Sequence, residues 1–180
     1  MKLADILDGV DIKKIYGDTG IEISDISIDS RTVRNGFLFV AIEGFKLDGH
    51  RFAHDAVKKG AVALISRKKL DLPPEIIQVL VKNTRKALPL VSANFFGNPS
   101  RSLKIIGITG TNGKTTTCYL INSILKEAGL KTSIISTYKS YIGEREIYMD
   151  RTTPESLDLH RFFAKSLEDG VKYACMEVSS

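Results

Sequence analysis

Residues 105–117 constrain the fold of this 180-residue chain more than any other stretch, and they read I-I-G-I-T-G-T-N-G-K-T-T-T. An apolar run at 103–108 leads into the stretch, and helical character begins near Lys114. A strand, a glycine loop and a helix in this order can cradle a phosphate. The glycines let backbone N–H groups turn inward, and the helix N-terminus adds partial positive charge. The sequence therefore predicts an α/β fold with a phosphate site at this loop.

The residues of the loop indicate a nucleoside triphosphate. Lys114 can reach the β- and γ-phosphates, and the Thr115 hydroxyl can ligate Mg²⁺, so ATP is expected as co-substrate and Mg²⁺ as cofactor. The strict pattern G-x-x-x-x-G-K-[ST] is not met, because its first glycine would fall on Ile108. A glycine-rich turn that binds nothing is the alternative, but strand, loop and helix all favour the phosphate site. The predicted ATP contacts are Gly110, Thr111, Asn112, Gly113, Lys114, Thr115 and Thr116.

Composition and charge narrow the class of partner. The chain is 43% hydrophobic and 26% charged, as is typical of globular domains, and its net charge of +5 favours anionic partners. Nucleotide substrates satisfy that charge. No dense Lys/Arg block with interleaved aromatics appears, so nucleic acid is not expected. No apolar run approaches the length of a membrane span, so we expect no membrane partner and a cytoplasmic location. The oligomeric state is not indicated.

Hydrophobic periodicity predicts two α/β regions, 1–82 and 83–180, that meet near Asn83. The helices predicted from it are 2–7, 52–59, 84–96, 114–128 and 154–168. The predicted strands are 21–28, 37–42, 61–65, 76–81, 103–108, 132–137 and 172–178, with a hairpin at 138–149. Because the strands at 103–108 and 132–137 flank a helix, they are expected to be parallel.

Glu177 lies near the end of the last predicted strand. Ligands of an open parallel sheet gather at the carboxyl ends of its strands, where the glycine loop also lies. A carboxylate there can hold Mg²⁺ beside a triphosphate. An ordinary exposed strand-end glutamate is the alternative. The sequence thus predicts Lys114 as a catalytic residue and Thr115 as a metal ligand, and position alone leaves both interpretations of Glu177 open.

Two further polar stretches allow both a structural and a functional interpretation. In R-T-T-P-E at 151–155, Thr153 suits the N-cap and Pro154 the first turn of a helix, and such a helix start can also bind an anion. Asp29-Ser30-Arg31 could be simply a turn. His50 is expected at the surface, without a catalytic role.

Five stretches, in the same order, resemble the Mur ligases, the ATP-dependent amide-forming enzymes of peptidoglycan synthesis. They are D-S-R at 29–31, G-F-K-L-D-G-H-R-F at 44–52, G-T-N-G-K-T-T at 110–116, T-T-P at 152–154 and M-E-V-S-S at 176–180. The resemblance implies a small N-terminal α/β UDP-binding domain at 1–82, followed by a truncated central P-loop domain at 83–180 with a mainly parallel sheet. The UDP-substrate contacts that it implies are Ile28, Ser30, Phe45, Lys46, Leu47, Thr152, Thr153 and Ser179.

The M-E-V-S-S stretch resembles the members that add the third amino acid, lysine or meso-diaminopimelate, to UDP-N-acetylmuramoyl-L-alanyl-D-glutamate. This resemblance implies that Glu177 is a catalytic residue and that it holds the metal together with Thr115. The implied chemistry is amide ligation through an acyl phosphate. Family members have three domains and are much longer, so the chain resembles an N-terminal fragment that is expected to be inactive alone. A non-catalytic ATP- or UDP-sugar-binding module is one alternative, and another ligase of the superfamily is a second. A reading frame that continues past Ser180 into a histidine favours the ligase, whereas a stop codon at position 181 favours the module.

Overall fold

The computed structural model describes residues 1–44, 48–148 and 154–179. Two compact units, Met1–Phe95 and Phe96–Ser180, make up the chain. Each unit has its own five-stranded sheet. In the first unit most neighbouring strands are parallel. In the second unit the three strands nearest the glycine loop are parallel. The predicted α/β class is therefore confirmed.

The first unit is a sheet with short helices. Its helices are α1 (Leu3–Ile6), α2 (Ala53–Lys58) and α3 (Thr84–Phe95), with a 3₁₀ turn at Gly49–Phe52. Its strands are β1 (Ile12–Tyr16), β2 (Asp25–Ser27), β3 (Phe37–Val40), β4 (Ala61–Ser66) and β5 (Ile77–Val81). The sheet order is β1-β5-β4-β3-β2, and only the pairing of β1 with β5 is antiparallel among these described strands. The carboxyl ends of β2 to β5 therefore meet at one edge.

Helix α3 belongs to the first unit, although the boundary near Asn83 assigned it to the second. Leu88 and Val91 are buried on this helix. The Asn94 side-chain amide donates to the backbone carbonyls of Ile6, at 3.1 Å, and Asp8, at 2.8 Å. The helix thus packs against the N-terminal segment, and the compact unit ends at Phe95 rather than at residue 82.

The second unit is built around the predicted strand–loop–helix. Its strands are β6 (Lys104–Ile108), β7 (Thr132–Ile135), β8 (Ser140–Ile142), β9 (Arg145–Ile147) and β10 (Tyr173–Glu177). Its helices are α4 (Lys114–Glu127) and α5 (Ser156–Glu168), with a 3₁₀ turn at Pro99–Arg101. The sheet order is β6-β10-β7-β8-β9. Strand β10 therefore lies between β6 and β7 and is parallel to both.

Alternation along β10 sets which side chains face which helix. Ala174 and Met176 join the apolar cluster that contains Phe162 and Phe163 of α5. Cys175 joins the opposite cluster, with Cys118 of α4. Because the side chains of a strand alternate, Glu177, two residues after Cys175, points to the α4 side. The sheet is thus covered on both faces, and its last strand delivers a carboxylate toward the start of α4.

Helix α5 begins later than the sequence predicted. Its first residue is Ser156 and its N-cap is Glu155, so Pro154 precedes the helix instead of occupying its first turn. Thr152 and Thr153 lie outside the described residues. Among the helices that the structure describes, none is long and apolar enough to cross a membrane.

Candidate functional site

The glycine loop connects β6 to α4 and is open to solvent. Gly110 has φ 144° and Gly113 has φ 78°, backbone conformations that side-chain-bearing residues rarely adopt. Gly113 is the N-cap of α4, and no side chain of a described residue caps that helix start. The first N–H groups of α4 therefore point toward the space where an anion would bind.

Lys114, the first residue of α4, lies folded over the loop. Its ammonium donates to the carbonyl oxygen of Gly110 at 2.7 Å, in a solvent-exposed contact. An exposed carbonyl is a neutral acceptor, and a phosphate oxygen would form a stronger, charge-assisted bond with the same ammonium. The lysine is therefore positioned to transfer its hydrogen bond to a phosphate held by the loop.

Glu177 is not an exposed strand-end residue: only 1% of its surface is accessible. It pairs with Ile108, the last residue before the glycine loop segment, because β10 runs beside β6. The Thr115 hydroxyl donates to Glu177 Oε1 at 2.9 Å. The two residues predicted to hold the metal are thus in direct contact, although 62 positions separate them in the chain.

The side chains present fit a magnesium ion shared with a nucleotide. Hydroxyl and carboxylate oxygens are hard ligands of the kind that Mg²⁺ prefers, and Mg²⁺ is commonly held by one or two protein groups together with substrate phosphates. The Thr115 hydroxyl donates its hydrogen bond to Glu177, so the lone pairs of the Thr115 oxygen remain for a cation. No group of three or more His, Cys, Asp or Glu residues that could hold a metal occurs within residues 1–44, 48–148 and 154–179.

Cys118 and Cys175 lie buried beneath this site and are not poised to react. Burial, with smaller contributions from the nearby Cys175 and Glu177, raises the pKa of the Cys118 thiol to about 12. Burial also raises the pKa of Cys175. Since the thiolate is the nucleophile, these cysteines serve packing.

In the first unit, the turn after β2 presents a serine at the carboxyl edge of the sheet. The Arg31 guanidinium pairs with Asp29, with Nη2 to Oδ2 at 2.7 Å, and this hydrogen bond is the main cause that lowers the pKa of Asp29. The Ser27 hydroxyl accepts from the Asp29 N–H and lies 2.8 Å from Thr32 Oγ1. Ser30 is 8% exposed, and its hydroxyl makes no hydrogen bond to any described residue. The turn is thus held by the neighbours of Ser30.

His50 is buried, and the expectation that it lies at the surface is wrong, because its exposed fraction is 7%. Its Nδ1 lies 2.5 Å from Asp48 Oδ1, and its Nε2 accepts the backbone N–H of Arg67 at 3.0 Å. An accepting Nε2 requires the neutral ring with its proton on Nδ1. The hydrogen bond with His50 is the main cause that lowers the pKa of Asp48. The histidine thus ties the segment after β3 to the end of β4.

The structure describes some of the remaining predicted contacts and not others. Phe45, Lys46 and Leu47 lie outside the described residues, as do Thr152 and Thr153. Ile28 is half-buried directly after β2, and Ser179 is exposed two residues after β10. Thr111, Asn112 and Thr116 are exposed around the glycine loop.

Sequence reasoning missed Thr137, which contacts Glu177 through two groups. The Thr137 backbone N–H donates to Oε1 at 2.9 Å, and its hydroxyl donates to Oε2 at 3.1 Å. The available signal was its place directly beyond β7, where polar residues collect at the edge of a parallel sheet. Its partner could not be inferred, because the insertion of β10 beside β7 was not visible in the sequence.

The chain matches known families and proteins along most of its length. Residues 22–97 match the Mur ligase family catalytic domain, and residues 108–180 match the Mur ligase middle domain. The UDP-N-acetylmuramoyl-L-alanyl-D-glutamate–2,6-diaminopimelate ligase of Clostridium perfringens is 47% identical over 180 residues, which are 100% of this chain and 37% of that protein. The chain therefore spans little more than a third of the length of this relative.

Two solved structures share the fold. A UDP-N-acetylmuramoyl-L-alanyl-D-glutamate–2,6-diaminopimelate ligase superposes with a TM-score of 0.80 at 23% identity, over 99% of this chain and 36% of that one. The MurF ligase of Thermotoga maritima, solved in complex with ADP, gives a TM-score of 0.58 at 25% identity, over 86% of this chain and 32% of that one.

Proposed function

The chain belongs to the Mur ligase family, and on that premise we propose that it binds ATP and a UDP-linked substrate within an ATP-dependent amide ligase of peptidoglycan synthesis. The observation that carries the proposal is the contact between Thr115 and the buried Glu177 at the mouth of the glycine loop. Lys114 lies folded over that loop, and a hydroxyl and a carboxylate meet at its mouth, as the chemistry of a magnesium-bound triphosphate requires.

The proposed reaction joins an amino acid to UDP-N-acetylmuramoyl-L-alanyl-D-glutamate. The D-glutamyl carboxylate attacks the γ-phosphate of ATP, so a carboxyl oxygen–phosphorus bond forms and ADP leaves. The amine of the incoming amino acid then attacks the acyl carbon, the amide bond forms, and phosphate and a proton are released. We propose 2,6-diaminopimelate as the incoming amino acid, because the 47% identical relative carries that substrate in its name, with lysine as the alternative.

The chain's own residues would act through charge and position. Lys114 would neutralise phosphate charge, and the N–H groups at the start of α4 would orient the phosphate oxygens. Thr115 and Glu177 would hold Mg²⁺, which when bound supplies further neutralisation of the triphosphate. Ser30 would hold the UDP portion at the edge of the first sheet. A cytoplasmic location is part of the proposal, because the reaction consumes ATP.

The ATP part of the proposal is tested by calorimetry with two lysine variants of the same helix. Lys114→Ala should weaken Mg-ATP binding by about 10- to 100-fold, because a charge-assisted hydrogen bond contributes about 1.5–3 kcal/mol. Lys126→Ala is the matched control, since Lys126 lies near the other end of α4 and pairs with Glu144. Equal Mg-ATP affinity in the two variants would show that the loop is not the phosphate site.

The UDP part is tested with two serine variants of the first unit. Ser30→Ala should weaken binding of UDP-N-acetylmuramoyl-L-alanyl-D-glutamate by about 5- to 30-fold, since an unpaired buried partner costs about 1–2 kcal/mol. Ser24→Ala, which removes an exposed hydroxyl bonded to the Asn35 carbonyl, should leave that affinity unchanged. ATP affinity should stay constant in both variants, and a parallel loss of both ligands in Ser30→Ala would argue against a selective UDP contact.

A further inference from the structure

We propose that Thr137 is a positioning residue for the nucleotide-bound metal: it fixes the Glu177 carboxylate so that the carboxylate can orient Thr115 toward Mg²⁺. The inference rests on the proposed function, because it concerns the same ATP site. It adds a residue that lies outside the glycine loop and outside β10. Thr137 touches neither phosphate nor metal in this proposal and acts through Glu177.

Thr137 holds both oxygens of one carboxylate. Its backbone N–H donates to Glu177 Oε1 at 2.9 Å, and its side-chain hydroxyl donates to Oε2 at 3.1 Å. Rotation of the carboxylate about its terminal bond would break both contacts. In the orientation that results, Oε1 accepts the hydrogen bond from the Thr115 hydroxyl at 2.9 Å. The direction of the Thr115 lone pairs therefore depends on where Thr137 holds Glu177.

Thr137 is itself held in a fixed turn. The Ser136 hydroxyl donates to the Lys139 carbonyl at 2.8 Å and accepts the Lys139 N–H at 3.2 Å. The Tyr119 hydroxyl of α4 donates to the same Lys139 carbonyl at 3.0 Å. The turn is thus connected to the helix that carries Thr115, so Thr137, Glu177 and Thr115 are positioned relative to one another by a closed set of contacts.

The electrostatics of this arrangement suit a cation. Glu177 is 1% exposed, and a buried carboxylate is costly unless hydrogen bonds or an opposite charge stabilise it. Thr115 and Thr137 donate hydrogen bonds to the two carboxylate oxygens. A divalent cation held beside Thr115 would be attracted by the carboxylate. Outer partners that orient a metal's ligands commonly change metal affinity by 10- to 100-fold when they are removed.

The test is calorimetric titration of ATP into the 180-residue chain, with Mg²⁺ and with EDTA. Thr137→Val removes the hydroxyl, keeps the backbone N–H and preserves the branched shape. It should reduce the Mg²⁺-dependent enhancement of ATP affinity by about tenfold, while affinity in EDTA stays unchanged. Thr137→Ser restores the hydroxyl and should restore the enhancement. Thr117→Val is the matched control, because Thr117 is exposed on α4 and should have no effect.

The possible outcomes separate this inference from the proposed function. If wild type shows no Mg²⁺-dependent ATP binding, the proposed function fails and this inference fails with it. If wild type shows the enhancement and Thr137→Val retains it, only the role of Thr137 is refuted. A purely structural role would lower the melting temperature and reduce ATP affinity equally with Mg²⁺ and with EDTA, which would also refute it. Selective loss in Thr137→Val together with rescue in Thr137→Ser supports it.

Discussion

Two glycines with positive φ lie at opposite ends of α4, and only one of them borders the proposed ATP site. Substituting each one separates the effect of this backbone conformation on ATP binding from its effect on stability. Gly113 has φ 78° and Gly129 has φ 75°. A Cβ atom added at either position would meet no described atom within 4 Å, so the cost of alanine there is backbone strain of about 1–2 kcal/mol. Both Gly113→Ala and Gly129→Ala should therefore lower the free energy of unfolding by similar amounts.

Only Gly113→Ala should also weaken Mg-ATP binding, because Gly113 sets the direction of the first N–H groups of α4. Denaturant unfolding measures the first effect and calorimetry the second. Equal ATP affinities in the two variants would contradict the assignment of this helix start to phosphate.

Two aspartates of the first unit should make its stability depend on acid pH. The pKa values of Asp29 and Asp48 are lowered, mainly by hydrogen bonds from Arg31 and His50 respectively. A carboxylate with a lowered folded-state pKa contributes stability above its unfolded pKa, near 3.8, and loses it as the pH falls through the folded value. Unfolding measured between pH 6 and pH 2.5 should show a loss that begins below about pH 5. Asp29→Asn and Asp48→Asn should each flatten this dependence, and an unchanged profile in both would contradict it.

At the residue scale, part of the proposed site follows from local chemistry. The glycine spacing, Lys114 and Thr115 could be read from one continuous stretch. The burial of Glu177 and its contact with Thr137 could not be read from the sequence. Both depend on the placement of β10, which carries Glu177 and follows Thr137 by 40 positions in the chain. His50 was misplaced for a similar reason: its partner, the Arg67 N–H, lies on a strand 17 residues further along the chain.

At the element scale, the strongest periodic segments were predicted well and the weak ones were not. The strands with continuous apolar runs, such as β3 and β4, lie where they were predicted. Strand β1 was not recognised, because I-K-K-I-Y lacks a period-two pattern and is an edge strand whose central three residues are exposed. The order β6-β10-β7 was also not predictable from the chain, since a strand–helix–strand unit does not show that a third strand enters between its strands.

Helix α3 gives an element-scale prediction about where the first unit ends. Limited proteolysis of the chain should leave a resistant fragment that ends near residue 95 and not near residue 82, because Leu88 and Val91 are buried. A chain cut to residues 1–95 should unfold cooperatively. A chain of residues 1–82 should lose about 1.5–3 kcal/mol for each of these two side chains.

Removal of the Asn94 side-chain amide tests that packing. Asn94→Ala in residues 1–95 should cost about 1–2 kcal/mol, because the side chain bridges two backbone carbonyls of the N-terminal segment. Lys86→Ala, at an exposed position of the same helix, should be close to neutral. If the 1–82 and 1–95 chains were equally stable, α3 would not be part of the first folding unit.

At the scale of the whole molecule, we expect the 180-residue chain to have no ligase activity. It matches 37% of the length of the Clostridium perfringens relative, and the incoming amine needs a binding site of its own. Loss of that positioning can remove effective molarities of roughly 10⁵ M or more. The assay combines the chain with ATP, Mg²⁺, UDP-N-acetylmuramoyl-L-alanyl-D-glutamate and either diaminopimelate or lysine. Any tripeptide product formed by the pure chain would show that the catalytic parts are already present.

The surface of the second unit carries exposed apolar side chains. Leu120 and Ile124 on α4 are 60% and 68% exposed, and Ile105 on β6 is 37% exposed. Strand β6 is also the last strand on its side of the sheet within the described residues. Exposed apolar side chains beside an open strand edge favour self-association. We therefore expect the chain to self-associate through its second unit.

Because each unit has its own core, occupancy of the two proposed sites should be separable in a calorimetric scan. A ligand that binds only folded protein stabilises the unit that binds it by RT ln(1 + [L]/Kd), about 2.7 kcal/mol when the ligand is present at 100 times its Kd. ATP with Mg²⁺ should raise the melting transition of residues 96–180, and UDP alone, the part of the substrate assigned to Ser30, should raise that of residues 1–95. The shift of each transition would then report the occupancy of one site, so a single heat-capacity scan would measure both sites in the same sample.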